Sequence, residues 1–111
     1  MFATRPFIAS GFRSSIRPIT DAAFLQRGLQ VVPALEYPSV AAAGALVAAG
    51  LGITAPPRLA LQLTRNDDLV TVPLQRPAMS RPIGLITRAG RSPSPVGRAF
   101  MDLLHSREAS R

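Results

Sequence analysis

The apolar and polar positions of this chain fall into blocks, and the clearest is Ser39–Gly52, Ser-Val-Ala-Ala-Ala-Gly-Ala-Leu-Val-Ala-Ala-Gly-Leu-Gly. Val40, Ala43, Val47 and Leu51 lie on one stripe of an α-helix. The opposite side is Ala and Gly instead of charge, which predicts cover on more than one side. Ser39 is placed to cap the first turn, its hydroxyl accepting from the amide of Ala41 or Ala42. Gly50 suits the left-handed position just past the last turn, and Leu51 then closes an apolar contact back onto the helix. Gly52-Ile53-Thr54-Ala55 reads as a short buried strand, stopped by Pro56-Pro57. Helix, glycine turn and buried strand in succession mark a layered α/β unit.

The flanking blocks extend that pattern. Phe7-Ile8-Ala9 predicts a strand and Ser10–Ser14 a loop. Ser15 is a plausible cap for a helix through Arg27, with Pro18 harmless in its first turn and Gly28 ending it. Ile16, Ile19, Ala23 and Phe24 give that helix its inward face. Leu29–Leu35 reads as a strand, although Pro33 forces an edge position or an early end. Arg58–Leu63 suits a brief helix with Leu59 and Leu63 on one side, and Asn66-Asp67-Asp68 a turn. Leu69–Leu74 alternates like a strand with one buried face. Gln75–Pro82 is a loop, Ile83–Arg88 a strand, and Gly90–Ser94 a second loop. Ser94 then caps a helix with Pro95 at its first position. Val96, Ala99, Phe100, Leu103 and Leu104 form its apolar face, Arg98 and Asp102 its wet side, and Glu108–Arg111 its frayed end. Alternating strands and helices of this kind predict an α/β fold: a mostly parallel sheet with flanking helices.

At 111 residues the chain is one domain or a piece of one. It contains no cysteine, which excludes disulfides and thiolate metal sites and fits a reducing compartment. The net charge is +7, and all 13 basic residues are Arg. Such a balance suits a nucleic-acid footprint, but the arginines are scattered and stacking aromatics are few, so nucleotide composition is the plainer source. Met1–Ser10 has no long apolar run and is no ordinary secretory signal. The acid-free first twenty residues have a transit-peptide flavour, yet a strand followed by a loop explains them as well. Val40–Ala55 is the one membrane candidate and falls short of the roughly 20 residues a span needs.

Catalytic chemistry is scarce. His105 is the single histidine and sits near the end of the last helix, where it serves the helix dipole better than it serves as a base. The six carboxylates form no recognisable acid–base pair, and no phosphate loop is present. What remains is binding. In open α/β sheets ligands collect at the carboxyl ends of strands, where helix N-termini point. Ser10–Ser15 and Glu36–Val40 are the two such places, and a small anion is their natural guest. Ser39, Ser14 and Ser15 each serve either as caps or as ligand contacts, the cap being the plainer role. Arg13 or Arg17 could pair with a ligand carboxylate.

These residues together resemble the effector-binding domain of LysR-type transcriptional regulators. The resemblance runs through Pro6-Phe7-Ile8, Ser14-Ser15-Ile16-Arg17, Asp21-Ala22-Ala23-Phe24 and Glu36. It is most specific at Leu46-Val47-Ala48-Ala49-Gly50-Leu51-Gly52-Ile53 followed by Pro57. Leu69-Val70, Pro73-Leu74, Arg81-Pro82-Ile83 and Ser94–Leu104 complete it. Thr54, Pro56 and Pro33 depart from the commoner apolar pattern of that family.

The resemblance implies two α/β lobes, as in a type 2 periplasmic binding protein, with a small molecule held between them. Positions about 6–82 look like the second lobe, and about 83–106 like the strand and helix that return to the first. The DNA-binding winged helix-turn-helix lies far upstream in such regulators, so the sequence reads as a partial effector domain, a fragment or a shortened reading frame. The expected protein is cytoplasmic, non-enzymatic and without cofactor or metal, and its full-length relatives oligomerise. Effector contacts are implied at Ser39 and Val40 and at Ser10, Gly11 and Phe12, with a small carboxylate the expected effector. With one wall of the cleft missing, the isolated chain is expected to bind effector weakly or not at all, and to expose the stripe of Val96, Phe100 and Leu104. Two other classes compete: a lobe of an exported solute-binding protein, and a small Arg-rich nucleic-acid binder.

Overall fold

Backbone pairing in this protein centres on two short strands. The computed structural model describes residues 4–64, 66–76 and 78–109, in two units, Met1–Arg81 and Pro82–Arg111. In the first unit β1 (Ile8–Ser10) and β2 (Leu35–Tyr37) run parallel, with Ile8 opposite Leu35 and Ser10 opposite Tyr37. Parallel neighbours need a crossover, and α1 (Ile16–Gln26) supplies it. β2 leads at once into α2 (Val40–Ala48), which is followed by a 3₁₀ segment, Arg58–Thr64.

Both helix ends in this unit close in the same way. After α2, the Gly50 amide donates to the Val47 carbonyl at 2.9 Å and the Leu51 amide to Leu46 at 3.2 Å. After α1, Gly28 donates to Leu25 at 2.9 Å and Leu29 to Phe24 at 3.0 Å. Each pair is a Schellman closure, and both glycines have positive φ, 67° at Gly28 and 77° at Gly50. Ser39 caps α2 from an extended conformation, its Oγ accepting from the Ala42 amide at 3.4 Å.

The core is built on Ile8, Tyr37 and Ala43, with Val40, Ala42, Leu46 and Val47 packed against it. Phe24 of α1 meets Phe7 edge to face, 5.0 Å between ring centroids. α2 is covered on two sides, as its Ala/Gly surface requires. Ala43 faces the core, and Gly44 abuts the 3₁₀ segment so closely that an added Cβ would lie 3.0 Å from the Thr64 Cβ.

Several expectations need correction. The strand expected over Leu29–Leu35 begins only at Leu35, because Pro33 has no amide to give a ladder. Gly52–Ala55 forms a single parallel bridge, Phe7 to Ile53, in place of a strand. The bridge is nonetheless well tied: Ile53 donates to the Pro6 carbonyl at 2.9 Å and Ile8 to Ile53 at 2.8 Å. The Thr54 hydroxyl, out of place in an apolar run, donates to the Ile8 carbonyl at 2.8 Å. Ser15 occupies the N-cap of α1 without a side-chain bond; its neighbour Ser14 accepts from the Ile16 amide instead, at 3.2 Å. The side of α1 that is fully buried carries Arg17 and Thr20, while Ile16, Ile19, Ala23 and Phe24 are half-buried. Leu59 and Leu63 are exposed. Leu69–Leu74 and Ile83–Arg88 are irregular and largely exposed, because among the described residues they find no neighbouring strand to bond.

The second unit is carried by α3 (Pro95–Ala109), where the Gly97 amide donates to the Ser94 Oγ at 3.1 Å, the expected cap. Its stripe of Val96, Phe100 and Leu104 is exposed, Val96 to 80%. The expected fraying over Glu108–Arg111 falls partly on residues 110–111, outside those described; Glu108 and Ala109 are helical.

Candidate functional site

The parallel register of β1 and β2 delivers both carboxyl ends to one edge. Beyond Ser10 the chain enters the Gly11–Ser15 turn, closed by the Ser14 amide donating to Gly11 at 2.9 Å. Beyond Tyr37 it enters α2 through Pro38 and Ser39. A hydrogen bond from the Gly11 amide to the Tyr37 carbonyl, 3.3 Å, joins the two exits.

Three kinds of binding group are found there. The first is the start of α2. Ala42 and Ala43 donate to Ser39 Oγ and O, and among the described residues the amides of Val40 and Ala41 have no acceptor. The second is the Ser10 hydroxyl. Ser10 is only 5% exposed, and among the described residues its Oγ has no hydrogen-bond partner. A buried hydroxyl left in this way costs about 1–3 kcal/mol, which a ligand group can recover. The third is Phe12, 79% exposed, with its ring held 4.4 Å from the Arg17 guanidinium carbon.

Arg17 is the residue that the hydrophobic pattern missed. It is 7% exposed. Its Nε donates to both oxygens of Asp21, at 3.0 and 3.2 Å, and its Nη1 to Glu36 Oε1 at 2.7 Å and to the Ser10 carbonyl at 3.1 Å. The Glu36 bond, followed by those to Asp21, raises its pKa above the usual guanidinium value despite the opposing effect of burial. The carboxylates that engage Arg17 thus belong to the chain itself, and its role as a partner for a ligand carboxylate is superseded. The spacing of Arg17 and Asp21, four residues apart on a helix, was a visible signal; Glu36 joins them only through the β1–β2 pairing.

Of the residues expected from sequence, Ser10 and Gly11 lie at the joined strand ends and Ser39 two residues beyond Tyr37. The Val40 side chain packs on the core, so its amide is what a ligand can meet. Among the described residues no hydrogen bond links Ser10–Phe12 directly to Ser39 or Val40. A shallow groove along α1, lined by Pro18, Ala22, Gln26 and Met79, includes none of these residues. No His/Cys/Asp/Glu group suited to a metal occurs among the described residues, and none of their helices is long and apolar enough to cross a membrane.

Comparison with known proteins places this geometry in context. The LysR substrate binding domain family matches residues 1–109. An uncharacterized HTH-type transcriptional regulator, YfeR of Shigella flexneri, is 33% identical over 97 residues, which are 87% of this chain and 31% of that protein. The chain therefore spans about a third of the length of the curated relative it matches. No solved structure matches it significantly. With nearly its whole length covered by the family match, the chain belongs to the LysR substrate-binding-domain family.

Proposed function

We propose that this chain is the effector-sensing part of a LysR-type transcriptional regulator, a non-enzymatic cytoplasmic module that holds a small carboxylate at the carboxyl ends of β1 and β2. Residues about 6–82 are assigned to the second lobe of a type 2 periplasmic-binding-protein-like domain and about 83–106 to its returning strand and helix; the division of the chain after Arg81 supports this. The effector contacts are Ser10, Gly11 and Phe12 on one exit and Ser39 and Val40 on the other. The observation that carries the assignment is the unpartnered, buried Ser10 hydroxyl beside strand ends that lead to the free α2 amides. A carboxylate accepts from helix N-terminal amides and from a serine hydroxyl alike. An exported solute-binding lobe shares this architecture, but the regulator relative favours the sensing role.

Thermal unfolding of the protein and of its Ser10→Ala variant, with acetate, succinate or benzoate at constant ionic strength, tests the proposal. Without acid, the variant is expected to be at least as stable, because it loses an unsatisfied hydroxyl. With acid, the parent gains stability by mass action and the variant gains less. The gain is expected to be small and to need a high acid concentration, in line with weak binding by this chain alone; equal gains in both proteins contradict the assignment.

A further inference from the structure

The two mouth segments, Gly11–Arg13 and the β2 end, are held by one side chain that itself faces away from solvent. We propose that Arg17 is a positioning residue, whose guanidinium, gripped by Asp21 and Glu36, fixes the Gly11–Arg13 turn and the Phe12 ring at the mouth of the site. The proposal rests on the effector-binding reading for its purpose, but not for its test.

The geometry is specific to a guanidinium. Its Nε engages Asp21 on the same helix, its Nη1 reaches both the last carbonyl of β1 and Glu36 of β2, and its guanidinium carbon lies over the Phe12 ring. These contacts diverge in a fork that one lysine ammonium cannot reproduce. Segments far apart in sequence are thereby locked together: Glu36 lies 19 residues from Arg17, and Ser10 lies 7.

What Arg17 ties down is the rim. Asp21, Glu36 and Phe12 are partly or largely exposed, whereas the core residues Ile8, Tyr37 and Ala43 take no part in the cluster. An exposed Phe12 gains little from burial, so its placement depends on the cation–π contact with Arg17. Loss of the fork should therefore free the turn without melting the core, which separates a positioning role from a general structural one.

Amide hydrogen exchange and the aromatic proton shifts of Phe12, measured by NMR on the parent, Arg17→Lys and Glu36→Gln, decide the matter. Arg17→Lys is expected to speed exchange at Gly11 and Ser14 by about tenfold or more and to move the Phe12 shifts, with Ile8 and Ala43 unchanged. Glu36→Gln alters an exposed side chain, keeps an acceptor for Arg17 and should produce a smaller change of the same kind. Unchanged Gly11 and Ser14 exchange in both variants overturns the proposal. So does a uniform rise that includes Ile8 and Ala43, which marks Arg17 as generally structural. A parallel succinate titration distinguishes the two readings: shifts in the parent that bypass Ser10 and Gly11 defeat the effector-site reading, while the exchange data still decide the role of Arg17.

Discussion

Replacing Gly52 by Ala should cost far more than replacing Gly50, although only Leu51 separates them. At Gly50 the sole difficulty is conformational: φ is 77°, and an added Cβ meets nothing within 4 Å. Alanine in that left-handed position costs about 1 kcal/mol. At Gly52 an added Cβ would collide with the Pro6 carbonyl oxygen and lie 3.2 Å from the Ile8 Cγ1. The obstacle is backbone and cannot rotate aside. That same Pro6 oxygen accepts from Ile53, and Ile53 in turn accepts from Ile8. Relief therefore requires breaking the bridge, which removes two backbone hydrogen bonds worth about 1 kcal/mol each and adds about 1 kcal/mol of residual strain. The sum is about 3 kcal/mol, or roughly 12–24 °C in Tm for a unit of this size. Urea unfolding followed by circular dichroism measures both variants. If Gly52→Ala costs no more than Gly50→Ala, then Ile53 is not seated on β1 as described.

Other consequences follow from the same packing. Ile8→Ala empties a fully buried position at the centre of the core and should cost about 2–5 kcal/mol in urea unfolding, against nearly nothing for Val96→Ala on the exposed side of α3. Ser39→Ala removes the α2 cap; the long 3.4 Å bond points to the lower part of the usual range, about 0.5–1 kcal/mol by the same measurement. The pKa of Arg17 is raised in the folded protein, so its contribution is full below the unfolded value and lost only as pH rises through the still higher folded value. Stability should accordingly show no loss traceable to Arg17 across the neutral and mildly alkaline range, and a thermal-unfolding series in which Arg17→Met abolishes an alkaline transition there would contradict this.

Local signals were readable in the sequence because they need only a few neighbouring residues. Ser39 and Ser94 cap their helices, Gly28 and Gly50 close theirs, and the Asp68 amide donates to the Asn66 side chain at 3.0 Å in the expected turn. Strands were less readable. The alternation in Leu69–Leu74 and Ile83–Arg88 reports a preference for a half-buried face but cannot supply the neighbouring edge that completes a ladder. Ile86, expected within a strand, is 98% exposed. Pro33 conflicts with a strand over Leu29–Leu35, and the chain resolves the conflict by moving the strand beyond it. The rule that ligands gather at strand ends points to Ser10 and Ser39, and both stand at the exits of β1 and β2. Arg17 is legible only as a partner for a ligand carboxylate; its burial is not, because hydrophobic periodicity assigns a charged residue to solvent, and beside Asp21 of its own helix the partners that make burial tolerable come from two other elements.

On the proposed function, α2, and not helix N-termini in general, receives the effector carboxylate at the shared end of β1 and β2. α3 provides an internal control, since it too begins with a serine cap. Titration of the protein with succinate, read by amide NMR shifts, should move Val40 and Ala41 together with Ser10 and Gly11, and leave Val96 in place. Equal movement of Val96, or shifts elsewhere in the protein with none at Val40 and Ala41, would contradict this.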